Sequence, residues 1–271
     1  MKRADRMERP GLIAHAGALW ALEIEYDGRP FVGWQRQALG LSVQDVLEEA
    51  ATKLAGDEPV ASIVAGRTDS GVHARGQVAQ IRLARAITPE RVREALNFHM
   101  KPHPVAVLRA AAAPEGWNAR FSAIRRAYRY RILNRRARPA LEEGRVWHVP
   151  GRLDVAAMQR AADILVGHHD FTSFRAASCQ ANSPLRTLER LEVSRLGEEI
   201  EIVAEARSFL HHQVRNMVGT LKLVGEGSWA PERVAVALEA RQRAAGGPTA
   251  PPDGLCMTGV FYPQDPFAGM A

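Results

Sequence analysis

Residues 65–78 read Ala65-Gly66-Arg67-Thr68-Asp69-Ser70-Gly71-Val72-His73-Ala74-Arg75-Gly76-Gln77-Val78. The apolar run Ser62-Ile63-Val64-Ala65 leads into this stretch. Val78-Gln80-Arg82, alternating with Ala79-Ile81-Leu83, leads out of it. The pattern predicts a strand, a glycine-hinged loop holding Arg67, Thr68, Asp69 and His73, and a second strand. In that setting a rigid scaffold presents a reactive side chain. Asp69 follows a β-branched Thr68 and stands two residues after Arg67, so it is a candidate nucleophile or base. The competing reading is an aspartate that caps its own turn through its side chain, and local spacing favours it.

Outward from the loop, the chain reads as two similar halves. Trp20, Leu22, Ile24 and Tyr26 alternate with Ala21, Glu23 and Glu25, a half-buried strand. Ser42 caps a helix with Asp45 in capping-box position, and Val43, Val46, Leu47, Ala50, Ala51 and Leu54 share one face. The strand ending at Ala65, the strand Gln77–Leu83, a helix opened by Thr88-Pro89 and a strand Val105–Ala113 complete a β-α-β-β-α-β order. The order then repeats. Arg126–Leu133 is a strand, Asp154–Val166 a helix closed by Gly167, and Arg186–Arg195 with Glu199–Ser208 a strand pair. Leu210, Val214, Met217, Val218, Leu221 and Val224 mark a helix, a shorter helix starts at Pro231, and Leu255–Phe261 is the closing strand. These are two ferredoxin-like split βαβ units of an α+β protein, able to join edge to edge into one mostly antiparallel sheet. The chain passes between them near Asn118–Ser122. This divides it into a tail at residues 1–17, a first half at 18–119 and a second half at 120–271. Gly246–Pro252 reads as a flexible connector and Arg135–Gly144 as a mobile loop.

The 271 residues, 46% hydrophobic and 24% charged, suit one large soluble domain or two ordinary ones. No apolar run approaches the roughly 18 residues of a membrane span. Leu12–Leu22 behind Lys2, Arg3, Arg6 and Arg9 imitates a signal peptide, but Asp5, Glu8, Pro10 and His15 interrupt it. It reads as a disordered or loosely docked tail. Cys179 and Cys256 are far apart, which excludes a disulfide framework or zinc ribbon and fits a cytoplasmic setting. Neighbouring side chains diverge on a helix or strand, so neither His168-His169 nor His211-His212 is read as a metal site. No metal is expected. The net charge is +6, yet Arg120, Arg125, Arg126, Arg129, Arg131, Arg135, Arg136 and Arg138 fall between 120 and 138 with no acid among them. An arginine field interleaved with Tyr128 and Tyr130 fits a nucleic-acid surface, as it also fits a solvated strand face.

Several strings in order carry a resemblance. Gly66-Arg67-Thr68-Asp69-Ser70-Gly71-Val72-His73-Ala74 resembles the active-site segment of the tRNA pseudouridine synthase A family, with Ser70 where alanine is common. Glu25-Tyr26-Asp27-Gly28 with Phe31-x-Gly33-Trp34-Gln35, and Ser42-Val43-Gln44, are similar to its first strand, turn and helix start. Arg120–Ala123 with Arg126-x-Tyr128-x-Tyr130, His169–Arg175, Phe209–Asn216 and Pro252-x-Gly254-Leu255 are similar to its later blocks. The blocks run from about Leu19 to Tyr262, and several ordered strings are far more specific than one. Met1–Gly17 matches nothing.

The resemblance implies a pseudouridine synthase fold with a central cleft between the halves. It also implies isomerisation of uridines 38, 39 and 40 in the anticodon stem-loop of tRNA. The substrate is RNA rather than DNA, and the family acts as a homodimer. Glycosidic bond breakage, rotation and rejoining through C5 lose no atom, so no redox cofactor is required. Consistently, the chain shows no dinucleotide fingerprint or P-loop. By resemblance Asp69 is the catalytic carboxylate, and Arg215, from the Val-Arg-Asn helix start, holds it ionised. Tyr128 stacks on the flipped uracil and handles the C5 proton. Leu255 forms an apolar floor, Arg67 contacts the RNA backbone or fills the gap left by the flipped base, and Arg126 joins the substrate contacts. His73 and Gln77 receive no defined role. The rivals are a sibling synthase aimed at another RNA position, a non-catalytic RNA-binding module and an aspartate-dependent glycosidase. The last would need a second carboxylate near Asp69.

Overall fold

The computed structural model describes residues 17–84 and 87–270, so the tail expected at residues 1–17 lies, but for Gly17, outside the described residues. In the first half β1 (Ala18–Tyr26) is followed by α1 (Val43–Leu54), β2 (Ser62–Val64), β3 (His73–Leu83), α2 (Pro89–His99) and β4 (Val105–Ala112). The second half holds β5 (Arg125–Leu133), a two-residue β6 (Trp147–His148), α3 (Val155–Leu165), β7 (Gly167–Asp170), β8 (Leu185–Leu196), β9 (Glu199–Ala206), α4 (Gln213–Gly225), α5 (Arg233–Glu239) and β10 (Leu255–Phe261). Local chemistry explains the helix starts. Ser42 Oγ accepts from the Asp45 N–H at 3.1 Å while the Asp45 carboxylate accepts from the Ser42 N–H at 3.0 Å, a closed capping box. Thr88 and Asp154 cap α2 and α3 in the same way with their side-chain oxygens.

All ten strands form one sheet, ordered β4-β1-β3-β10-β5-β9-β8-β7, with β2 on β3 and β6 on β5. Among the described strands only the pairs β3–β10 and β5–β6 are parallel. Each half therefore has the same spatial order: β4-β1-β3-β2 in the first, β10-β5-β9-β8 in the second. The join depends on the shortness of β2. Its three residues pair with Ile81, Gln80 and Ala79 at one end of β3. The other end of that edge is left for β10, which sets Cys256 beside His73 and Met257 beside Ala74. Gly76 permits the approach, because a Cβ there would sit 2.6 Å from the Thr258 carbonyl oxygen. The loop bearing Asp69 leaves the sheet where β2 ends and β10 begins, and so stands at the junction of the halves.

The helices pack in pairs, α1 with α2 and α3 with α4 and α5. Beneath them one apolar core runs through both halves, from Trp20, Leu22 and Ile24 to Tyr130, Ile132 and Met257. A smaller cluster lies on the other face of the first half, where Trp117 meets Tyr262 and Tyr262 donates to the Ala119 carbonyl at 2.7 Å. No helix among the described residues is long and apolar enough to cross a membrane.

Three expectations change. His73 is the first residue of β3 rather than part of the loop, because the seam with β10 extends the strand. The Gly246–Pro252 connector is pinned to α4: Gly247 N–H donates to Thr220 Oγ1 at 2.9 Å, and a Cβ on Gly219 would lie 1.7 Å from the Pro248 oxygen. Half of the arginine field is taken up in ion pairs. Arg125, Arg129 and Arg131, on the β5 face away from Tyr128 and Tyr130, meet Glu205, Glu201 and Glu199 of β9 at 3.3, 3.0 and 2.7 Å. Arg135 pairs with Glu198 at 2.8 Å. Arg136 and Arg138 remain exposed.

Candidate active site

The loop between β2 and β3 is held from below by buried polar side chains. Tyr26 and Thr68 share a hydroxyl–hydroxyl hydrogen bond at 2.8 Å, and Gln77 Nε2 donates to the Gly66 carbonyl at 2.8 Å. Trp34 N–H donates to the Thr68 carbonyl at 3.1 Å. Gly33 makes this possible: its φ is +112°, and a Cβ there would stand 2.7 Å from the Thr68 oxygen. The turn closes through backbone alone, Val72 N–H to the Asp69 carbonyl at 3.1 Å. The Asp69 side chain is thus free of capping duty.

Its carboxylate faces the start of α4 across the seam. Arg215 Nη1 lies 3.2 Å from Asp69 Oδ2, while Arg215 Nε donates to the Ala250 carbonyl at 2.8 Å. Both side chains are largely withdrawn from solvent, at 13% and 17% exposure. His211 Nε2 lies 3.4 Å from Asp69 Oδ1 and His212 Nε2 3.5 Å from Oδ2. Adjacent positions on a helix or strand predict that these histidines diverge. They converge because His212, the residue before α4, adopts φ +62° and ψ +4°, a left-handed conformation rare outside glycine. Burial pushes the His212 imidazole below its ordinary value, against the pull of Asp69. The ion-pair partners of Asp69 among the described residues are all basic, so a two-carboxylate glycosidase arrangement is not built here.

Tyr128 stands on β5 opposite Met257 of β10 and meets Phe209 edge to face, centroids 5.2 Å apart. Its hydroxyl lies about 4.0 Å from where a Cβ on Gly66 would be, three residues before Asp69. Burial, then the neighbouring Tyr26 and Asp69, push its phenol well above the ordinary range, so it is a neutral hydroxyl at working pH. Leu255 opens β10 opposite Tyr130 and is buried. Tyr130 itself is a core residue, its hydroxyl donating to the Pro251 carbonyl at 2.8 Å.

Arg67 is exposed on the loop. Arg126 departs from its expected place. It is buried, and its two Nη groups donate to the carbonyls of Ala65, Arg120, Ala123 and Arg207 at 2.6–3.2 Å. With those hydrogens used, it staples the loop to the crossing between halves instead of reaching for a substrate. His73 likewise serves the scaffold: its Nδ1 accepts from the Gly28 N–H at 3.1 Å, which leaves Nε2 to donate to the Gly144 carbonyl at 3.0 Å.

An arginine-supported aspartate on a glycine-hinged loop, facing a buried tyrosine at the seam of two split βαβ units, is the arrangement the sequence motifs implied. A model of the family described as tRNA pseudouridine synthase matches residues 23–122 and 161–263. The chain belongs to the tRNA pseudouridine synthase family. It is 68% identical over 249 residues to a tRNA pseudouridine synthase A of Acidiphilium cryptum, covering 92% of this chain and 98% of that one. Similar proteins of the same description occur in Rhodospirillum centenum, at 62% identity over 90% of this chain and 99% of the relative, and in Paramagnetospirillum magneticum, at 61% over 90% and 94%. In this pseudouridine synthase the matched segments contain Asp69, Arg215 and Leu255, while Tyr128 lies between them.

Proposed function

We propose that the chain isomerises uridines 38, 39 and 40 of the tRNA anticodon stem-loop to pseudouridine. The observation that carries the reading is the Asp69–Arg215 pair, one partner from each half, at the seam of the sheet. Asp69 supplies the ionised carboxylate that starts the reaction on the flipped uridine. Taking it out of water disfavours its charged form, and the Arg215 guanidinium offsets this by a charge-assisted hydrogen bond. The N1–C1′ bond breaks, the base turns, C5 bonds to C1′, and the proton released from C5 is balanced by one gained at N1. Tyr128 stacks on the base and its neutral hydroxyl relays the C5 proton. Leu255 floors the pocket, and Arg67 fills the gap left by the flipped base or contacts the backbone.

RNA is gripped through phosphates and 2′-hydroxyls in a manner tolerant of sequence, as three adjacent target positions require. The exposed Arg136 and Arg138 supply part of this grip. The two halves, 18–119 and 120–271, act together, and the working unit is a cytoplasmic homodimer. Chemical mapping of pseudouridine in tRNA from a strain lacking the protein tests the proposal. Loss at positions 38–40 is expected, loss at another position makes this a sibling synthase, and no loss anywhere overturns the reading.

A further inference from the structure

The convergence of His211 and His212 on Asp69 is not explained by the isomerisation. Neither imidazole is hydrogen-bonded to the carboxylate, since the Nε2–oxygen separations of 3.4 and 3.5 Å exceed the usual N–H···O range of about 2.7–3.2 Å. Two donors bound to one tetrahedral zinc ion at about 2.0–2.1 Å stand about 3.3–3.4 Å apart. The donor atoms of Asp69, His211 and His212 all lie within 4.8 Å of one another. The two nitrogen–oxygen separations match that donor spacing and are long for a hydrogen-bonded cluster.

We propose that Asp69, His211 and His212 form an exchangeable site for a divalent transition metal of the zinc class, and that occupation of this site shuts off the reaction. Two imidazoles and one carboxylate suit Zn²⁺ or Co²⁺, and a nitrogen-rich set is poor for Mg²⁺ or Ca²⁺. Arg215 meets only Oδ2, so Oδ1 is open to an ion beside His211. The guanidinium repels a dication, which makes the site exchangeable rather than structural. The left-handed backbone at His212 is what aims the second imidazole, so the site is a product of local conformation as well as sequence. Binding stands on this geometry alone, and the inhibition rests on the proposed role of Asp69.

The test uses the full chain stripped with EDTA and titrated with Co²⁺, whose visible absorption reports tetrahedral binding. One equivalent should bind, Zn²⁺ should displace it, and Mg²⁺ should not. Asp69→Asn, His211→Gln and His212→Gly should each weaken binding at least tenfold. The glycine retains access to the left-handed backbone, so its loss of binding reports the missing ligand rather than a misfolded turn, and circular dichroism checks all three. In parallel, one equivalent of Zn²⁺ should abolish single-turnover pseudouridine formation on an anticodon stem-loop, and EDTA should restore it. No tetrahedral Co²⁺ spectrum, or a spectrum unchanged in all three variants, overturns the site. A wild-type spectrum with turnover undiminished leaves the site standing, overturns the inhibition and removes Asp69 from the chemistry.

Discussion

Arg215 Nη1 meets Asp69 Oδ2 at 3.2 Å across 146 positions of chain, and no other arginine reaches that carboxylate among the described residues. The arginine is held by a reciprocal backbone arrangement. Its Nε donates to the Ala250 carbonyl at 2.8 Å, and the Ala250 N–H donates to the Arg215 carbonyl at 3.1 Å. The pinned Gly246–Pro252 segment therefore aims the guanidinium. Leaving a withdrawn carboxylate without its partner typically costs about 3–5 kcal/mol. If that cost falls on the barrier, Arg215→Met should slow turnover by more than about a hundredfold, and Arg215→Lys, which keeps the charge, should lose much less. Single-turnover rates on an anticodon stem-loop decide it, and a near-normal rate for Arg215→Met would take Arg215 out of the site.

Asp69→Asn should abolish product while tRNA binding survives. The amide keeps the shape of the side chain and cannot act as an anion. The turn itself should hold, since its closing hydrogen bond runs from Val72 N–H to the Asp69 backbone carbonyl. Product at more than a trace would show that another group starts the reaction.

Tyr128→Phe keeps the ring against Phe209 and removes only the hydroxyl. It should bind tRNA as the parent does and turn over poorly. A fully active variant would reduce Tyr128 to a stacking platform.

The motif strings and capping residues made much of this legible. Ser42 with Asp45, Thr88 with Pro89, and Asp154 mark helix starts that the structure repeats, because capping is a contact between near neighbours. What sequence could not convey was pairing. Arg125, Arg129 and Arg131 look like free charge until β9 brings Glu205, Glu201 and Glu199 into register about 70 residues later. Arg126 shares the same run, yet the strand's alternation turns it to the opposite face, where the distant carbonyls of Ala65 and Arg207 join those of nearby Arg120 and Ala123 in taking its hydrogens. The meeting of His211 and His212 hangs on one left-handed dihedral at a non-glycine residue, for which their side chains carry no signal.

This sorting sharpens the expectation for RNA affinity. Each phosphate contact contributes a slope of roughly −0.7 to −0.9 in log affinity against log salt. Arg136→Gln with Arg138→Gln should flatten the slope by roughly one to two contacts and spare the chemical step at saturating tRNA. Arg129→Gln and Arg131→Gln, whose charges are already matched on β9, should leave it almost unchanged. The reverse ranking would mean that these ion pairs open to receive RNA.

The last expectation concerns the latch between the halves. Asp27 binds Arg29 through both carboxylate oxygens, Arg145 approaches it at 3.5 Å, and His73 Nδ1 lies 3.3 Å from its Oδ1. Arg29 also donates to the Glu143 carbonyl and His73 to that of Gly144, so this group ties the turn after β1 to the loop after β5. Burial works against the Asp27 charge, but the hydrogen bonds from Arg29 outweigh it and hold the carboxyl down at about 2. Burial pulls the His73 imidazole below its ordinary value, with Asp27 opposing. Both shifts make the unfolded chain bind more protons, so stability falls on acidification. The His73 contribution is lost as pH drops below the ordinary imidazole value of about 6.5. The Asp27 contribution is lost between 3.8 and about 2. Melting temperature followed against pH should show both limbs. His73→Gln should flatten the upper limb. Asp27→Asn should flatten the lower one and cost about 1 kcal/mol at neutral pH, discounted because Arg29 is half-exposed, or about 2–4 °C for a chain of this size. If both limbs persist in the variants, the acid sensitivity belongs to other groups and the latch contributes nothing to it.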